Sequence, residues 1–449
     1  MNQRYYYIIL AAALAVVNFA HASNVLGIEG GEATSVGIYI KSLKDNKILA
    51  NENAEIALTP ASVTKSLTSA TALELLGPDF CFMTEVELDG SRSVSSKSTW
   101  DGNIVINACG DPTIENPDLK MKMGFTDSII SGIRRLGINR ISGTVIIKEK
   151  MPDAGPNVKW EVEDLAWPYG AGLYGFNYGG NYVRVFPNTG KTVPPSGLKV
   201  ELRSGDKNDM IRGIDSQNLI VWGSLKSRQN EKWSLNVTVP DPSEVYSEFL
   251  KTKLRNAGIA ISDNEKKTNS TKNIGVYTHV SANLLDICKD MMKRSDNLFA
   301  EGMLRALLPG ESRKKCLKKQ EAYWTSQGLD AGYTIIYDGS GLTRSNKISP
   351  LFLGQMLEKM ANSENAEEYV SFFPVAGIDG TLKSFLEKTR LKGRLVLKTG
   401  SVSEVQCYAG YKIDAEGAPT HVIVVMVNGF FCTRGTLRKK IEEYLLELL

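Results

Sequence analysis

Three short clusters in this chain carry side chains able to make and break an acyl bond. Ser62-Val63-Thr64-Lys65 sets a hydroxyl and an amine three residues apart, so in a helix the amine reaches the hydroxyl across one turn. Ser295-Asp296-Asn297 supplies a second hydroxyl and an amide, and Lys398-Thr399-Gly400 supplies a cation, a hydroxyl and a position with no side chain. A serine paired with an amine base is the basis of covalent catalysis. Plainer readings stand beside it: Ser62 as a helix-capping serine followed by a solvated lysine, and Lys398-Thr399-Gly400 as a solvated strand end. The first pattern recurs at Ser312-Arg313-Lys314-Lys315, and the second at Ser216-Gln217-Asn218, Ser234-Leu235-Asn236 and Ser281-Ala282-Asn283. The third occurs once.

The surrounding sequence must position these groups. Thr59 suits a helix N-cap and Pro60 the first helical position, where a missing N–H costs nothing. Leu67, Ala70, Leu73 and Leu76 then recur at helical spacing up to Gly77-Pro78, a stop signal. Ser62 therefore falls at the positive end of a helix dipole. Residues 36–43 and 47–50 read as strands around a turn, and residues 395–398, 407–413 and 421–427 as closing strands, with a hairpin turn at 414–417. Ser281 reads as the N-cap of a helix that breaks at residues 294–297, before another over residues 298–308. A turn-rich stretch at 337–342 precedes a helix over 350–360. Leu437, Ile441, Leu445 and Leu448 make the last helix amphipathic; packing on the sheet is the expected role, with peripheral membrane contact the alternative. Residues 81–282 differ in texture, with short alternating runs separated by Gly, Pro, Asn and Asp and a helix over 243–256. The fold class is α+β. Residues 23–80 and 283–449 form one discontinuous domain, and residues 81–282 are a β-rich insertion of one or two subdomains.

The chain has 449 residues and a formal charge of +3 from 53 basic and 50 acidic side chains, a balance that argues against a nucleic-acid binder. Residues 1–22 read as a cleavable export signal: Arg4, an apolar run over 5–20, then Ala20-His21-Ala22. That run falls short of the roughly 20 residues needed to span a bilayer. An extracytoplasmic, periplasmic location is therefore expected. In an oxidising compartment Cys81, Cys109, Cys288, Cys316, Cys407 and Cys432 could form up to three disulfides, and their spacing leaves the pairing open. Past the signal only His279 and His421 remain. With no Gly-x-Ser-x-Gly elbow and no metal-ligand spacing, neither a Ser-His-Asp hydrolase nor a metal or other cofactor is expected.

In order, the clusters are Ser-x-x-Lys, Ser-x-Asn and Lys-Thr-Gly, the set of penicillin-binding proteins and serine β-lactamases. The long stretch between Ser62 and Ser295 resembles the class C low-molecular-mass penicillin-binding proteins, D-alanyl-D-alanine carboxypeptidases and endopeptidases with a large insertion. Gly110-Asp111-Pro112-Thr113, Tyr169-Gly170-Ala171-Gly172, Asp338-Gly339-Ser340-Gly341-Leu342 and residues 374–382 resemble that family too. The resemblance implies a transpeptidase-like catalytic domain acting on peptidoglycan stem peptides, with β-lactams as covalent inhibitors. It makes Ser62 the nucleophile and Lys65 its base, which must be neutral to take a proton. Ser295 relays a proton to the leaving amine, Asn297 holds the substrate amide, and Lys398 and Thr399 bind its terminal carboxylate. Gly400 lets the substrate lie along the strand, and the N–H groups of Ser62 and Ser401 form an oxyanion hole. A β-lactamase of the same fold and a noncatalytic cell-wall-binding protein are the alternatives.

Overall fold

The computed structural model describes residues 25–28, 34–119, 124–268, 273–331 and 334–449; the export signal expected over residues 1–22 lies outside them. The chain divides into two compact units, one holding the residues up to Glu74, Cys288–Asp296 and Leu317–Leu449, the other Leu75–Ile287 and Asn297–Cys316.

The first unit is built on a five-stranded antiparallel sheet of β1 (Ser35–Ser42), β2 (Ile48–Glu52), β3 (Leu395–Val402), β4 (Val405–Ile413) and β5 (Pro419–Asn428), in the order β3-β4-β5-β1-β2. The chain's beginning and end meet here, Ser35 pairing with Asn428 and Ser42 with His421. Period-two alternation gives each strand two apolar faces. Ile38, Ile40, Leu397, Tyr408, Ile423 and Val425 share one core cluster with Leu437, Ile441 and Leu445 of a terminal helix, Arg434–Leu448. The apolar face of that helix is thus spent on the sheet. On the other face Tyr39 packs against Gly354 in the helix Pro350–Ala361, where a Cβ would come within 2.2 Å of the ring.

The helix α1 (Thr64–Leu76) departs from the expected amphipathic form. All residues from Thr64 to Leu73 are buried, so it is wrapped on every side. Apart from Ser66 Oγ, its hydroxyls are satisfied locally or by neighbours: Ser69 Oγ donates to Lys65 O at 2.8 Å and Thr71 Oγ1 to Leu67 O at 2.7 Å. Trp324 Nε1 donates to Thr71 Oγ1 and Tyr369 Oη to Ser66 O. Polar residues that look solvent-facing by periodicity are here buried through hydrogen bonds. The helix stops at Gly77, whose φ of 81° is left-handed.

The second unit contains a six-stranded mixed sheet and two three-stranded sheets. Over the first lie Pro242–Asn256, capped by Asp241, and Phe125–Arg135. The latter helix is absent from the sequence reading, although Phe125, Ile129, Ile130 and Ile133 bury one face. Its start lacks a usual side-chain cap: Gly124 precedes it, and Glu115 reaches in from afar to accept from Thr126 N at 2.8 Å. The two small sheets share a separate core around Val185, Leu219, Val221 and Val237. Residues 297–316, placed by sequence with the catalytic domain, cluster with this unit. Gly302 sits against Pro112, Arg305 donates to Pro152 O and Arg313 to Gly155 O. The structure carries all six cysteines as free thiols. Among the described residues no helix is long and apolar enough to cross a membrane.

The burial of α1 gives a direct stability test. Trp324 is 1% exposed and supplies both apolar volume and a hydrogen bond to the helix. Trp324→Ala is expected to cost about 3–5 kcal/mol in urea unfolding. A loss below about 1 kcal/mol would show that α1 is held in place by other contacts.

Candidate active site

Ser62 lies in a single 3-10 turn, Ala61–Val63, that runs into α1. Thr59 is not its N-cap. Thr59 Oγ1 donates to Arg344 O and accepts from Lys347 Nζ, while its backbone exchanges hydrogen bonds with the Asn428 side chain. Pro60 is thereby anchored to the end of β5, and the chain tightens into the turn with Ala61 at a left-handed φ of 47°. Such a conformation is costly for a non-glycine residue and persists only where surroundings enforce it. Here Thr64 Oγ1 donates to Ala61 O at 2.8 Å.

Lys65 is fully buried, and its Nζ donates to Ser62 Oγ at 3.0 Å and to Ser340 O at 2.6 Å. The second contact explains the Asp338-Gly339-Ser340-Gly341-Leu342 stretch. Buried Asp338 accepts from Gly341 N, Thr343 N and Asn346 Nδ2, closing the loop that presents Ser340 O. Thr68 Oγ1 donates to Gly339 O at 2.7 Å. Gly341 must be glycine: its φ is 79°, and a Cβ would lie 1.9 Å from Ala61 O.

Ser295 follows the helix α2 (Leu284–Arg294) in a left-handed conformation, φ 62°. The cap of α2 is Asn283, which accepts from Asp286 N; Ser281 instead accepts from Phe82 N. Lys398 Nζ donates to Ser295 Oγ at 2.9 Å and to Thr399 O at 2.7 Å. Lys398 is fully buried, and burial first, then the charge of Lys65, holds its ammonium well below the usual lysine range. Lys398-Thr399-Gly400 lies within β3, which runs on to Val402. A Cβ on Gly400 would meet Pro60 O at 2.5 Å and Ser62 N at 3.1 Å. The glycine therefore lets the strand close against the Ser62 turn, a stricter demand than room for substrate.

A cavity of about 490 Å³ opens over these groups, lined by Ser62, Ser295, Thr399, Ser401 and residues that sequence reading missed: Thr381, Arg434 and Arg438. Thr399 Oγ1 bonds Thr381 Oγ1 at 2.8 Å. Arg434 is fixed by Val402 O, Val405 O and Gln406 Oε1, and Ser401 Oγ by Gln406 Oε1. Only Thr381 had a sequence signal, within the stretch over residues 374–382. Asn297 belongs to the second unit and begins the helix α3 (Asn297–Ala306), its Nδ2 donating to Tyr169 O at 2.7 Å. The structure thus brings Ser62, Lys65, Ser295, Lys398, Thr399, Gly400 and Ser401 together in one unit. Of the decoys, Ser312 caps a helix by accepting from Lys315 N, and Lys315 pairs with Glu311 at the surface. His279 and His421 both lie on strands.

Residues 27–446 match the model of the D-Ala-D-Ala carboxypeptidase 3 (S13) family. The chain belongs to that family. It is 26% identical to D-alanyl-D-alanine carboxypeptidase DacB of Haemophilus influenzae over 91% of this chain and 88% of the relative. With the D-alanyl-D-alanine carboxypeptidase of Actinomadura sp. (strain R39) it shares 24% identity over 88% of this chain and 78% of the relative. In fold it is similar to the crystal structure of penicillin binding protein 4 (dacB) from Haemophilus influenzae, with a TM-score of 0.78, 23% identity and coverage of 93% and 97% of the two chains. This S13 chain is a serine-type hydrolase of the D-alanyl-D-alanine carboxypeptidase kind.

Two measurements probe the geometry. The pKa of Lys398 is lowered in the folded state, while in the unfolded chain it is about 10.4. Between those values the unfolded chain binds more protons, so raising the pH favours the fold. From pH 7 to about pH 10 the wild type should therefore gain stability relative to Lys398→Met in denaturant titrations. Parallel pH profiles would contradict a depressed Lys398. Thr381→Val should lower kcat/KM for a D-Ala-D-Ala peptide about 2- to 10-fold by removing one hydrogen bond, mainly through KM, with Thr381→Ser near wild type. An unchanged KM in Thr381→Val would remove Thr381 from substrate positioning.

Proposed function

We propose that this carboxypeptidase cleaves D-alanyl-D-alanine ends and cross-links of peptidoglycan stem peptides through an acyl-enzyme on Ser62. The observation that carries the reading is the pair of lysine–serine contacts, Lys65 Nζ to Ser62 Oγ at 3.0 Å and Lys398 Nζ to Ser295 Oγ at 2.9 Å. Ser62 Oγ attacks the carbonyl carbon of the penultimate residue and gives its proton to Lys65 Nζ. The oxyanion forms against the N–H groups of Ser62 and Ser401, donors of a kind often worth about 3 kcal/mol each. The leaving amine takes a proton through Ser295, supplied from the lysine side. Water then opens the ester by the reverse path. Lys398 and Thr399 hold the terminal carboxylate, and Arg434 and Arg438 add positive potential to the cavity. The role of Asn297 toward the substrate amide rests on the Ser-x-Asn motif. β-Lactams acylate Ser62 because they present a strained amide to the same nucleophile. Residues 1–22 support action outside the cytoplasm, in the periplasm.

A fluorescent penicillin should label the wild type at Ser62, and Ser62→Ala should lose the label and the release of D-alanine from purified peptidoglycan. Lys65→Ala should slow acylation about 100- to 10,000-fold, the range of a general base. Labelling of Ser62→Ala on another residue would overturn the assignment. Rapid loss of the label from wild type would instead mark a β-lactamase.

A further inference from the structure

The second unit contains a cavity of about 510 Å³ whose wall carries four sulfur side chains, Cys81, Met83, Cys109 and Met151. They come from the entry to the strand Met83–Arg92, from the exit of its partner Thr99–Asn107, and from the loop after Val145–Lys148. Cys109 Sγ sits 3.4 Å from Thr84 Oγ1 and Cys81 Sγ 3.5 Å from Asp79 O. Neither cysteine is in a disulfide. Cys109 is exposed and Cys81 half-buried, whereas Cys288, Cys316 and Cys407 are fully buried; Cys432, half-buried, lies in the other unit.

Among the described residues no histidine or carboxylate lines this cavity, and none forms a cluster of three or more His, Cys, Asp or Glu side chains. Asp79 and Asp111 act on these thiols from outside the lining, so hard cations lack carboxylate ligands in the cavity wall, and zinc lacks its usual four N, S or O donors. Two thiols with two thioethers are the ligand set of a soft, low-coordinate d10 ion. Lys150 and Arg305 also line the cavity. Their two positive charges oppose a dication and attract the single negative charge left when two thiolates bind a monovalent ion. The edge-packed rings of Phe80 and Phe82, 5.1 Å apart, form an apolar wall beside it, which favours a weakly hydrated ion.

We propose that this cavity binds one monovalent soft metal ion, Cu(I), through the Cys81 and Cys109 thiolates with thioether support from Met83 and Met151. On binding, each thiol releases its proton to solvent and the copper keeps its oxidation state.

The test titrates reduced, full-length enzyme with Cu(I) held in a bicinchoninate buffer. One Cu(I) per chain should transfer. Cys81→Ser with Cys109→Ser should weaken binding by at least about 100-fold, and Met83→Leu with Met151→Leu by about 10-fold. Cys432→Ser should bind as wild type. An unchanged thermal melt together with retained penicillin labelling of Ser62 shows that each variant is folded. A second readout needs no variant: bound Cu(I) should protect Cys81 and Cys109, but not Cys432, from iodoacetamide, as mapped by mass spectrometry. Failure to draw Cu(I) from bicinchoninate, unchanged affinity in either double variant, or a Cys81–Cys109 disulfide in the enzyme isolated without reductant would overturn the proposal.

Discussion

The site depends on two amines forced out of water beside one another. Lys65 and Lys398 are both fully buried, and the charge of Lys65 is one of the two causes that lower Lys398. A buried ammonium is costly, and a second nearby makes it costlier. On the proposed reading that cost is accepted because a serine hydroxyl needs a neutral amine to take its proton. Each Nζ is held between a serine Oγ and a backbone carbonyl: Ser62 and Ser340 for Lys65, Ser295 and Thr399 for Lys398. For Lys398 these neutral acceptors hold the amine where burial already lowers its pKa.

Those acceptors are in place only because the backbone is brought unusually close. Gly400 lets β3 close on the Ser62 turn, and Gly341 lets the Asp338 loop do the same from another side, each where a Cβ would lie at or under 2.5 Å from a backbone oxygen. Ala61, next to Ser62, and Ser295 are both at left-handed φ without being glycine, at the two hydroxyls that the lysines contact. The strain is held by buried hydrogen bonds, chiefly Thr64 to Ala61 O and the three bonds accepted by Asp338. Rigid, over-determined surroundings are what strained functional residues require.

What could be read from sequence followed from periodicity and motif order. The strands of the catalytic sheet and the helices starting near Ser62, Pro350 and Arg434 carry apolar spacing that local rules recognise. Three things did not follow. The helix Phe125–Arg135 begins without a local side-chain cap, since Glu115 caps it from eleven residues away. The hydroxyl-rich surface of α1 reads as solvent-facing, yet Trp324, Tyr369 and Gly339 cover it from distant parts of the chain. Thr381, Arg434 and Arg438 reach the cavity from the segment before β3 and from the last helix, and their side chains carry no spacing relation to Ser62. Sequence order showed which groups could react, while long-range contacts decided which groups surround them.

The position of Lys398-Thr399-Gly400 in the sheet also limits how a peptide can approach. β3 is an edge strand, but its first half is covered: Leu397 N donates to Pro374 O, and Ala376 N to Leu395 O. Among the described residues no strand pairs with the outer side of residues 398–402. An extended peptide adding to the edge can therefore pair only along that half, with alternate side chains turned toward and away from the cavity. The covered half prevents the peptide from sliding further along the strand. On the proposed reading its terminal carboxylate is drawn to the end where Thr399, Ser401, Arg434 and Arg438 line the cavity. A cavity of about 490 Å³ exceeds the needs of one alanine, so a bulkier leaving group that still presents a carboxylate fits the same anchor. Terminal trimming and cross-link cleavage thus place the same demand on the reacting atoms and differ only in what fills the remaining space.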